Sequence, residues 1–190
     1  MKRRLYDPRM SIYANPAGVP ADGYVKALLD LVGDRDPLQL LPDGPSNVEK
    51  AIAGLSDAQL RTPEREGKWP IVAVVKHLAD SELVTSFRVR MIVAHDTPPI
   101  AGYDQDLWSQ RLHYVDANID DALEQYRLLR KINVALLASL SDEERERVGL
   151  HSERGLESVN RLMRLISAHD IVHTKQIERI RGVVTGAAGS

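Results

Sequence analysis

The chain has 190 residues, no cysteine, 43% hydrophobic residues and a formal net charge of −2 at neutral pH. This length accommodates one domain with a substantial core, and the near-neutral charge gives no basic excess that would favour nucleic acid or an anionic membrane as a partner. Without cysteine there are no disulfides, thiolate ligands or cysteine nucleophiles, so a bound metal must be held by His, Asp or Glu.

The first 20 residues are predicted to form a proline-containing arm. They lack the apolar core of a signal peptide, and no stretch of the chain approaches the roughly eighteen apolar residues of a membrane helix. We therefore expect a cytoplasmic protein.

Helical periodicity dominates the rest of the chain. The first helix is predicted over Ala21–Val32, where apolar residues recur at spacings of three and four, and Gly33 ends it. Asp36 followed by Pro37 is typical of a helix N-terminus, although further prolines keep that helix short. Another helical segment is predicted over Ser46–Leu55.

Three longer helices follow. They are predicted over Trp69–Ala94, Asp120–Leu140 and Leu156–Arg181, with Gly182 as the cap of the last. Between them, Ala101–Val115 is predicted to be an irregular loop long enough for a functional role, and Arg145–Gly155 is predicted to be a connector. No run alternates strictly enough to predict a sheet. The pattern predicts an all-α fold, a four-helix bundle with one or two short additional helices over residues 21–182, between the arm at 1–20 and a tail at 183–190.

His169 and His173 are the most informative pair in the sequence. Two residues four apart project from the same face of a helix, and two imidazoles held that way can bind one divalent metal. Their neighbours at core spacings are Leu162, Ile166, Gln176 and Ile180. The pair is therefore expected on a buried face, where imidazoles without partners each cost about 1–3 kcal/mol and a shared metal removes that cost.

A third histidine, His77, passes the same test in the second long helix. The residues on its face of that helix are Ala73, Val74, Ser81, Val84 and Met91. His77 completes a three-histidine metal site if the fold brings the two helices together. Asp80 and Asp170 are candidates for accepting a hydrogen bond from a ligand imidazole, with a solvated or capping role as the alternative for each. The other histidines, His95, His113 and His151, are expected at helix ends or in loops without a role in the site.

Two further expectations concern the surroundings of this site. The loop residues expected to form a wall at the mouth of a cleft are Tyr103, Asp104, Trp108 and His113. Trp108 is expected mainly as an apolar anchor for the loop. Asn133, in the third long helix, is expected to be a buried polar tie between helices.

Four blocks of the sequence resemble the DinB/YfiT-like superfamily. They are Lys68-Trp69-Pro70, His77-Leu-Ala-Asp80-Ser-Glu82, Arg130-x-x-Asn133 and His169-Asp170-x-x-His173-x-x-Gln176-Ile177. The blocks occur in the family's order and cover nearly the whole of residues 21–181. The resemblance implies a four-helix bundle, often dimeric, with a cleft metal site built from three histidines at the positions of His77, His169 and His173. The family is unrelated to the DNA polymerase that shares the DinB name, so the resemblance implies no nucleic-acid binding.

The resemblance supports the site better than the reaction. Characterised members include transferases and isomerases that use a low-molecular-weight thiol, and others are known as metal-dependent hydrolases by name alone. The first interpretation is therefore a thiol-linked transferase with a divalent metal, zinc or nickel, with manganese or iron as alternatives. A metal-dependent hydrolase is the second interpretation, and a non-catalytic metal-binding protein is the third. We expect a small-molecule substrate, a homodimer, and neither nucleic acid nor membrane as a partner.

Overall fold

Long helices dominate the computed structural model, which describes residues 21–186. In chain order the elements are α1 (Ala21–Val32), α2 (Pro37–Leu40), a 3-10 helix (Leu41–Asp43), α3 (Gly44–Ile52), α4 (Asp57–Arg61), α5 (Ile71–Ala94), β1 (Pro99–Ile100), α6 (Gln105–Arg111), a second 3-10 helix (Tyr114–Asp116), α7 (Ile119–Ser139), α8 (Asp142–Glu146), β2 (Val148–His151), β3 (Gly155–Ser158) and α9 (Val159–Val184). The predicted four-helix bundle is confirmed, with α1, α5, α7 and α9 as its long helices. The predicted arm and the last four residues of the predicted tail lie outside the described residues.

Local capping chemistry fixes where several helices begin. The carboxylate of Asp36 accepts a hydrogen bond from the backbone N–H of Leu38, with Pro37 in the first helical turn, as the sequence predicts. Asn118 accepts from the first-turn N–H groups of α7 in the same way, and Ser158 accepts from one of α9. These side chains satisfy backbone donors that a helix start otherwise leaves without partners.

A small three-stranded sheet corrects the prediction that the chain has no strands. β1 pairs in parallel with β2, and β2 pairs antiparallel with β3. Strands of two and four residues are too short for alternation to be recognised in the sequence. Gly149 lets β2 approach closely, because a Cβ atom there would lie 2.7 Å from Cγ1 of Ile100 and 2.9 Å from Cγ1 of Ile92.

Two helix ends also differ from the prediction. α9 begins at Val159 rather than at Leu156, because Leu156 pairs in β3. Its end is two residues beyond Gly182, which lies inside the helix, and Thr185 caps it. The left-handed residue that follows is Gly186, with φ of +74°, so the predicted glycine stop was placed four residues too early.

The segment predicted as an irregular loop is more ordered than expected. It contains α6, whose first turn is capped by the carboxylate of Asp104 accepting from the N–H of Leu107. A 3-10 helix follows at Tyr114–Asp116. Both helices are short, so their periodicity is weak in the sequence.

α5 is the central helix of the bundle. Fifteen of its 24 residues are buried, which identifies a helix surrounded by neighbours rather than one with a single buried face. It packs most extensively against α7 and also against α9, α4 and the second 3-10 helix. Side chains on opposite sides of α5 can therefore reach different partner helices.

The described surface carries some exposed apolar side chains. Leu83 and Phe87, one turn apart on α5, are 49% and 64% exposed, and α7 exposes Leu128 and Ile132. These apolar groups are compatible with the predicted homodimer, which stays a prediction. Among residues 21–186, no helix is both long and apolar enough to span a membrane.

We predict that Gly44→Ala destabilises the fold. Gly44 has helical backbone angles, so alanine would ordinarily improve the helix. Its Cβ, however, would lie 2.6 Å from Oδ2 of Asp170 and 2.7 Å from both Nη1 of Arg130 and the hydroxyl of Tyr126. We expect the free energy of unfolding in urea to fall by about 1–3 kcal/mol.

The matched control for this variant is Asn47→Ala, at an exposed position of the same helix, which should change stability by less than about 0.5 kcal/mol. A more stable Gly44→Ala protein would show that α3 does not approach the buried charged groups as closely as the structure has it.

Candidate metal centre

The structure brings together the three histidines that the sequence singled out. His77 comes from α5, and His169 and His173 come from successive turns of α9. The ring centroid of His77 lies 5.0 Å from that of His169 and 4.9 Å from that of His173, and the latter two are 4.3 Å apart. Nε2 of His77 and Nε2 of His169 are 3.0 Å apart. One nitrogen of each ring lies within 4.8 Å of the others, so the three can hold a single metal ion.

The packing of α5 against α9 explains why these side chains meet. On α9, the apolar residues of the predicted seam, Leu162, Ile166 and Ile180, are buried and hold that face against the bundle. On α5, Ala73 and Val74 on the His77 face are completely buried. All three imidazoles are at most 2% exposed. The predicted orientation of both histidine-bearing faces towards the interior is therefore what the structure shows.

A hydrogen bond to Gln176 sets the proton position on His173. Nδ1 of His173 lies 2.7 Å from Oε1 of Gln176, and because an amide oxygen only accepts, Nδ1 carries the proton. Nε2 of His173 then keeps its lone pair, and this buried atom has no hydrogen-bond partner among the described residues. A buried acceptor of this kind is suited to a metal ion.

Burial also controls the charge of the cluster. It lowers the pKa of His173 to about 4, against a smaller opposing effect of the Gln176 hydrogen bond. Burial lowers the pKa of His77 well below its usual value, and a charge on His173 would lower it further. Both imidazoles are therefore neutral at pH 7, the form that binds metals.

Aromatic and hydroxyl groups surround His77. The ring centroid of Trp69 lies 5.2 Å from that of His77. Oγ of Ser81, one turn along α5, lies 3.5 Å from Nε2 of His77 and 3.0 Å from the hydroxyl of Tyr103. Tyr103 is held by Trp108, whose ring centroid is 4.3 Å away. These groups shield the imidazole from water while placing two hydroxyls beside it.

The four residues expected at the mouth of the cleft have different positions. Tyr103 contacts the site through Ser81, and Trp108 stacks against it as the expected apolar anchor. Asp104 caps α6, and His113 is exposed in a left-handed conformation between α6 and the second 3-10 helix. Only the first two therefore contribute to the surroundings of the cluster through contacts that the structure shows.

The two aspartates expected to support the ligand imidazoles are each hydrogen-bonded to α7, and Asp80 also to a lysine of its own helix. Asp80 accepts from Nζ of Lys76 at 2.7 Å and from Nε2 of Gln125 at 3.1 Å. Asp170 accepts from the hydroxyl of Tyr126 at 2.6 Å and from Arg130 at 2.5 Å. Direct support of a ligand imidazole by either carboxylate stays a prediction.

A buried charged network lies beside the cluster. Arg130 on α7 donates to Glu82 on α5 at 2.7 Å, to Asp170 on α9, and to the carbonyl of Leu41 at 2.7 Å. Burial alone would lower the pKa of Arg130, but the two carboxylates raise it well above its usual value. The guanidinium therefore stays charged and links α5, α7 and α9 at one point.

Asn133 belongs to the same network, which confirms its predicted role as a buried tie between helices. It donates to Glu82 at 2.7 Å and accepts from Arg90 at 3.0 Å. The central role of Arg130 was missed from the residue pattern, although a signal exists. It shares the buried face of α7 with Leu123, Tyr126, Asn133 and Leu137, and a charged residue on such a face requires partners.

The other three histidines lie outside the cluster, as expected. His95 is exposed at the end of α5, and His113 is exposed as described above. His151 is in β2 and is 2% exposed. Burial lowers its pKa to about 4, and the nearby Arg154 and Arg88 add to this effect. His151 is therefore a neutral core residue of the sheet rather than a loop residue.

The fold and the cluster together define a class of protein, a helical bundle with a three-histidine site between two of its helices. The family model of the DinB superfamily matches residues 41–177, and this chain belongs to that superfamily. The resemblance found in the sequence blocks is thereby confirmed.

Relatives of this chain include bacterial proteins named for a metal-dependent activity. The chain is 31% identical to "Putative metal-dependent hydrolase YfiT" of Bacillus subtilis (strain 168), over 76% of this chain and 84% of that protein. It is 31% identical to a Bacillus cereus (strain 03BB102) protein also named "Putative metal-dependent hydrolase", over 76% of this chain and 83% of that protein. A solved structure of Bacillus subtilis YfiT, described as "a probable metal-dependent hydrolase with an unusual four-helix bundle topology", matches with a TM-score of 0.70 and 25% identity, covering 90% of this chain and 94% of that one.

We predict that Arg130→Met strongly destabilises the protein. Removing the guanidinium leaves Glu82 and Asp170 buried without their cationic partner, which costs about 3–5 kcal/mol in buried pairs of this kind. The free energy of unfolding in urea measures the effect. Lys131→Met, at the exposed neighbouring position, is the control and should stay within about 0.5 kcal/mol of wild type. Equal stability of the two variants would contradict the linking role of Arg130.

We predict that the metal-free protein loses stability as the pH falls from about 6.5 towards 4. An imidazole in the unfolded chain has a pKa of about 6.5, whereas that of His173 is about 4 in the folded protein. Below about pH 6.5 the unfolded chain therefore binds more protons, and the free energy of unfolding falls by up to about 1.4 kcal/mol per pH unit for such a group.

Urea unfolding in the presence of a chelator, repeated across this pH range, measures the slope. His173→Gln should flatten it, whereas His95→Gln, which alters an exposed histidine, should not. His151 also contributes to the slope but is unchanged in both variants. The same slope in wild type and His173→Gln would contradict the low pKa of His173.

Proposed function

We propose that this protein is a metal-dependent hydrolase whose divalent ion is held by His77, His169 and His173. The observation that carries the proposal is the convergence of three buried imidazoles, with 3.0 Å between Nε2 of His77 and Nε2 of His169. Two nitrogens bound to one ion at about 2.0–2.1 Å lie roughly 2.8–3.4 Å apart for angles from octahedral to tetrahedral, so the observed separation of 3.0 Å fits a shared ion. The names of the bacterial relatives support the hydrolytic class.

The donor set also fits a divalent metal. Nε2 of His173 is buried without a hydrogen-bond partner among the described residues, and leaving such an atom unsatisfied costs about 1–3 kcal/mol. Ligation removes that cost. Imidazole ligands suit zinc and nickel, with manganese and iron as alternatives.

The protein contributes a positioned and shielded set of ligands. Gln176 fixes the proton and ring orientation of His173, and the network around Arg130 fixes α5 relative to α9. Trp69 limits the access of water to His77. A divalent ion held by His77, His169 and His173 would lower the pKa of a water molecule or a small thiol and would polarise a carbonyl.

Thiol-linked transfer, the first interpretation of the sequence, is the alternative reaction. The chain has no cysteine, so such a reaction needs an external thiol. The two reactions therefore differ in a simple requirement that can be measured.

We predict that metal binding depends on the cluster and on no other histidine. Wild type and His95→Ala, which alters an exposed histidine, should each bind about one equivalent of divalent metal. His77→Ala and His173→Ala should each weaken metal binding strongly. Loss of a residue that only supports a ligand weakens metal binding by about 10–100-fold, and loss of a ligand itself should weaken it more. Elemental analysis and a competition titration with a chelator measure this, and equal metal content in all four proteins would refute the site.

The reaction class is tested with the metal-loaded protein and a panel of esters and amides, with and without low-molecular-weight thiols. Turnover without thiol, lost in His77→Ala, supports hydrolysis. Turnover that strictly requires a thiol would overturn hydrolysis in favour of transfer. Metal binding without turnover of any substrate would instead favour a non-catalytic, stabilising ion.

A further inference from the structure

Two buried hydroxyl groups lie next to the histidine cluster and have no role in the proposed metal binding. Oγ of Ser81 is 3.0 Å from the hydroxyl of Tyr103 and 3.5 Å from Nε2 of His77. Ser81 is 5% exposed and Tyr103 is 9% exposed. Burying two hydroxyl groups in such an apolar and aromatic setting costs free energy unless each proton is donated in a hydrogen bond.

The contacts of the Ser81 hydroxyl are with side chains rather than with the backbone of α5. A serine inside a helix commonly donates to the carbonyl four residues earlier, and Ser167 on α9 does so, with Oγ 2.9 Å from the carbonyl of Met163. Ser81 instead contacts a residue of the β1–α6 segment and approaches the imidazole side of α5. Its position is therefore set by Tyr103 rather than by the backbone of α5.

The hydroxyl of Tyr103 can serve as the donor to Ser81, since either oxygen of this 3.0 Å pair can donate. Burial raises its pKa, against the smaller lowering effect of the Ser81 hydrogen bond, so the phenol keeps its proton at neutral pH. Trp108 packs on its ring at 4.3 Å, and the guanidinium carbon of Arg88 lies 6.0 Å from the ring centroid. These contacts fix the direction of the hydroxyl towards Ser81.

When the hydroxyl of Tyr103 donates to Oγ of Ser81, the hydroxyl proton of Ser81 is directed towards the histidine cluster. The polar atom that it approaches there is Nε2 of His77, and 3.5 Å is too long for a strong hydrogen bond. That nitrogen also has to keep its lone pair if it binds an ion. The Ser81 O–H group is then a donor beside the centre that an added ligand can satisfy.

We propose that Ser81 donates a hydrogen bond to an anionic oxygen of the ligand bound at the three-histidine centre, and that Tyr103 is the residue that positions Ser81. The inference rests on the proposed metal site. The ligand class is a carboxylate, or the oxyanion that forms on a carbonyl substrate, since donors fixed in a dry site favour negative charge on oxygen. Ser81 would be the group in contact with the substrate, and Tyr103 would act through it.

The test uses the full-length protein loaded with cobalt(II), with acetate as the probe. The visible absorption of cobalt reports acetate binding without reliance on activity, and cobalt content is measured first for every variant. Ser81→Ala should weaken acetate binding by about 10–100-fold, the effect of losing a hydrogen bond to a charged group. Tyr103→Phe should weaken it by a smaller factor, about 3–10-fold, because Ser81 remains but is no longer oriented.

Two further variants make the comparison specific. Ser81→Thr keeps the hydroxyl and should restore acetate affinity to within about 3-fold of wild type. Tyr114→Phe removes the hydroxyl of another buried tyrosine, which lies edge-on to Trp69 with ring centroids 6.3 Å apart. It should leave acetate affinity unchanged.

The outcomes separate this inference from the proposed function. A wild-type protein that binds no cobalt overturns both. Normal cobalt binding with unchanged acetate affinity in Ser81→Ala and Tyr103→Phe overturns the hydroxyl pair and leaves the metal site standing. Loss of cobalt from Ser81→Ala, with retention in Tyr103→Phe, would also overturn it, because Ser81 would then serve His77 rather than the ligand.

Discussion

The buried guanidinium of Arg130 is the interaction on which the arrangement of the long helices depends. It joins Glu82 of α5 and Asp170 of α9 from its own position on α7. A charge in the interior is stable only when its partners surround it, so the three helices have one relative position that satisfies the group. Glu82 lies five residues from His77, and Asp170 is adjacent to His169. The same contacts that satisfy Arg130 therefore fix the spacing of the histidines.

The two polar groups of residues inside the bundle, the Arg130 network and the histidine cluster, have different roles. The network of Arg130 connects helices through charged groups and Asn133. In the histidine cluster, by contrast, His77 and His173 are neutral because burial lowers the pKa of each. A neutral donor set can bind a cation without first losing a proton. The neighbouring carboxylates are hydrogen-bonded to Arg130, Tyr126 and Lys76, and their negative charge is therefore directed at these groups.

The enclosure of the cluster has a consequence for chemistry. In a site of low dielectric, each fixed donor has a larger effect on a charged ligand than it would have in water. This low-dielectric environment is formed by Trp69, Tyr103 and Trp108. Tyr103 lies between β1 and α6, in a segment that the sequence pattern predicted to be irregular. The small sheet matters for the same reason, since it anchors that segment next to α5 through the pairing of β1 with β2.

The sequence by itself determined the helical class, the approximate bounds of the long helices and the inward orientation of His77, His169 and His173. It could do so because helix periodicity is a local property, and a histidine between apolar residues at spacings of three and four must face the core. Asn133 was recognised as a buried tie by its position on a buried face. The sequence blocks also identified the family.

Only the tertiary structure decided which helices meet and which side chains share partners. The sheet, α6 and the start of α9 at Val159 depend on pairing and packing between distant segments, which leave no periodic signal in runs of two to seven residues. The contacts of Arg130 with Glu82 and Asp170 span 48 and 40 residues of sequence, and His77 and His169 are separated by 92. Such separations carry no local preference, so the approach of these side chains is fixed by the packing of the bundle.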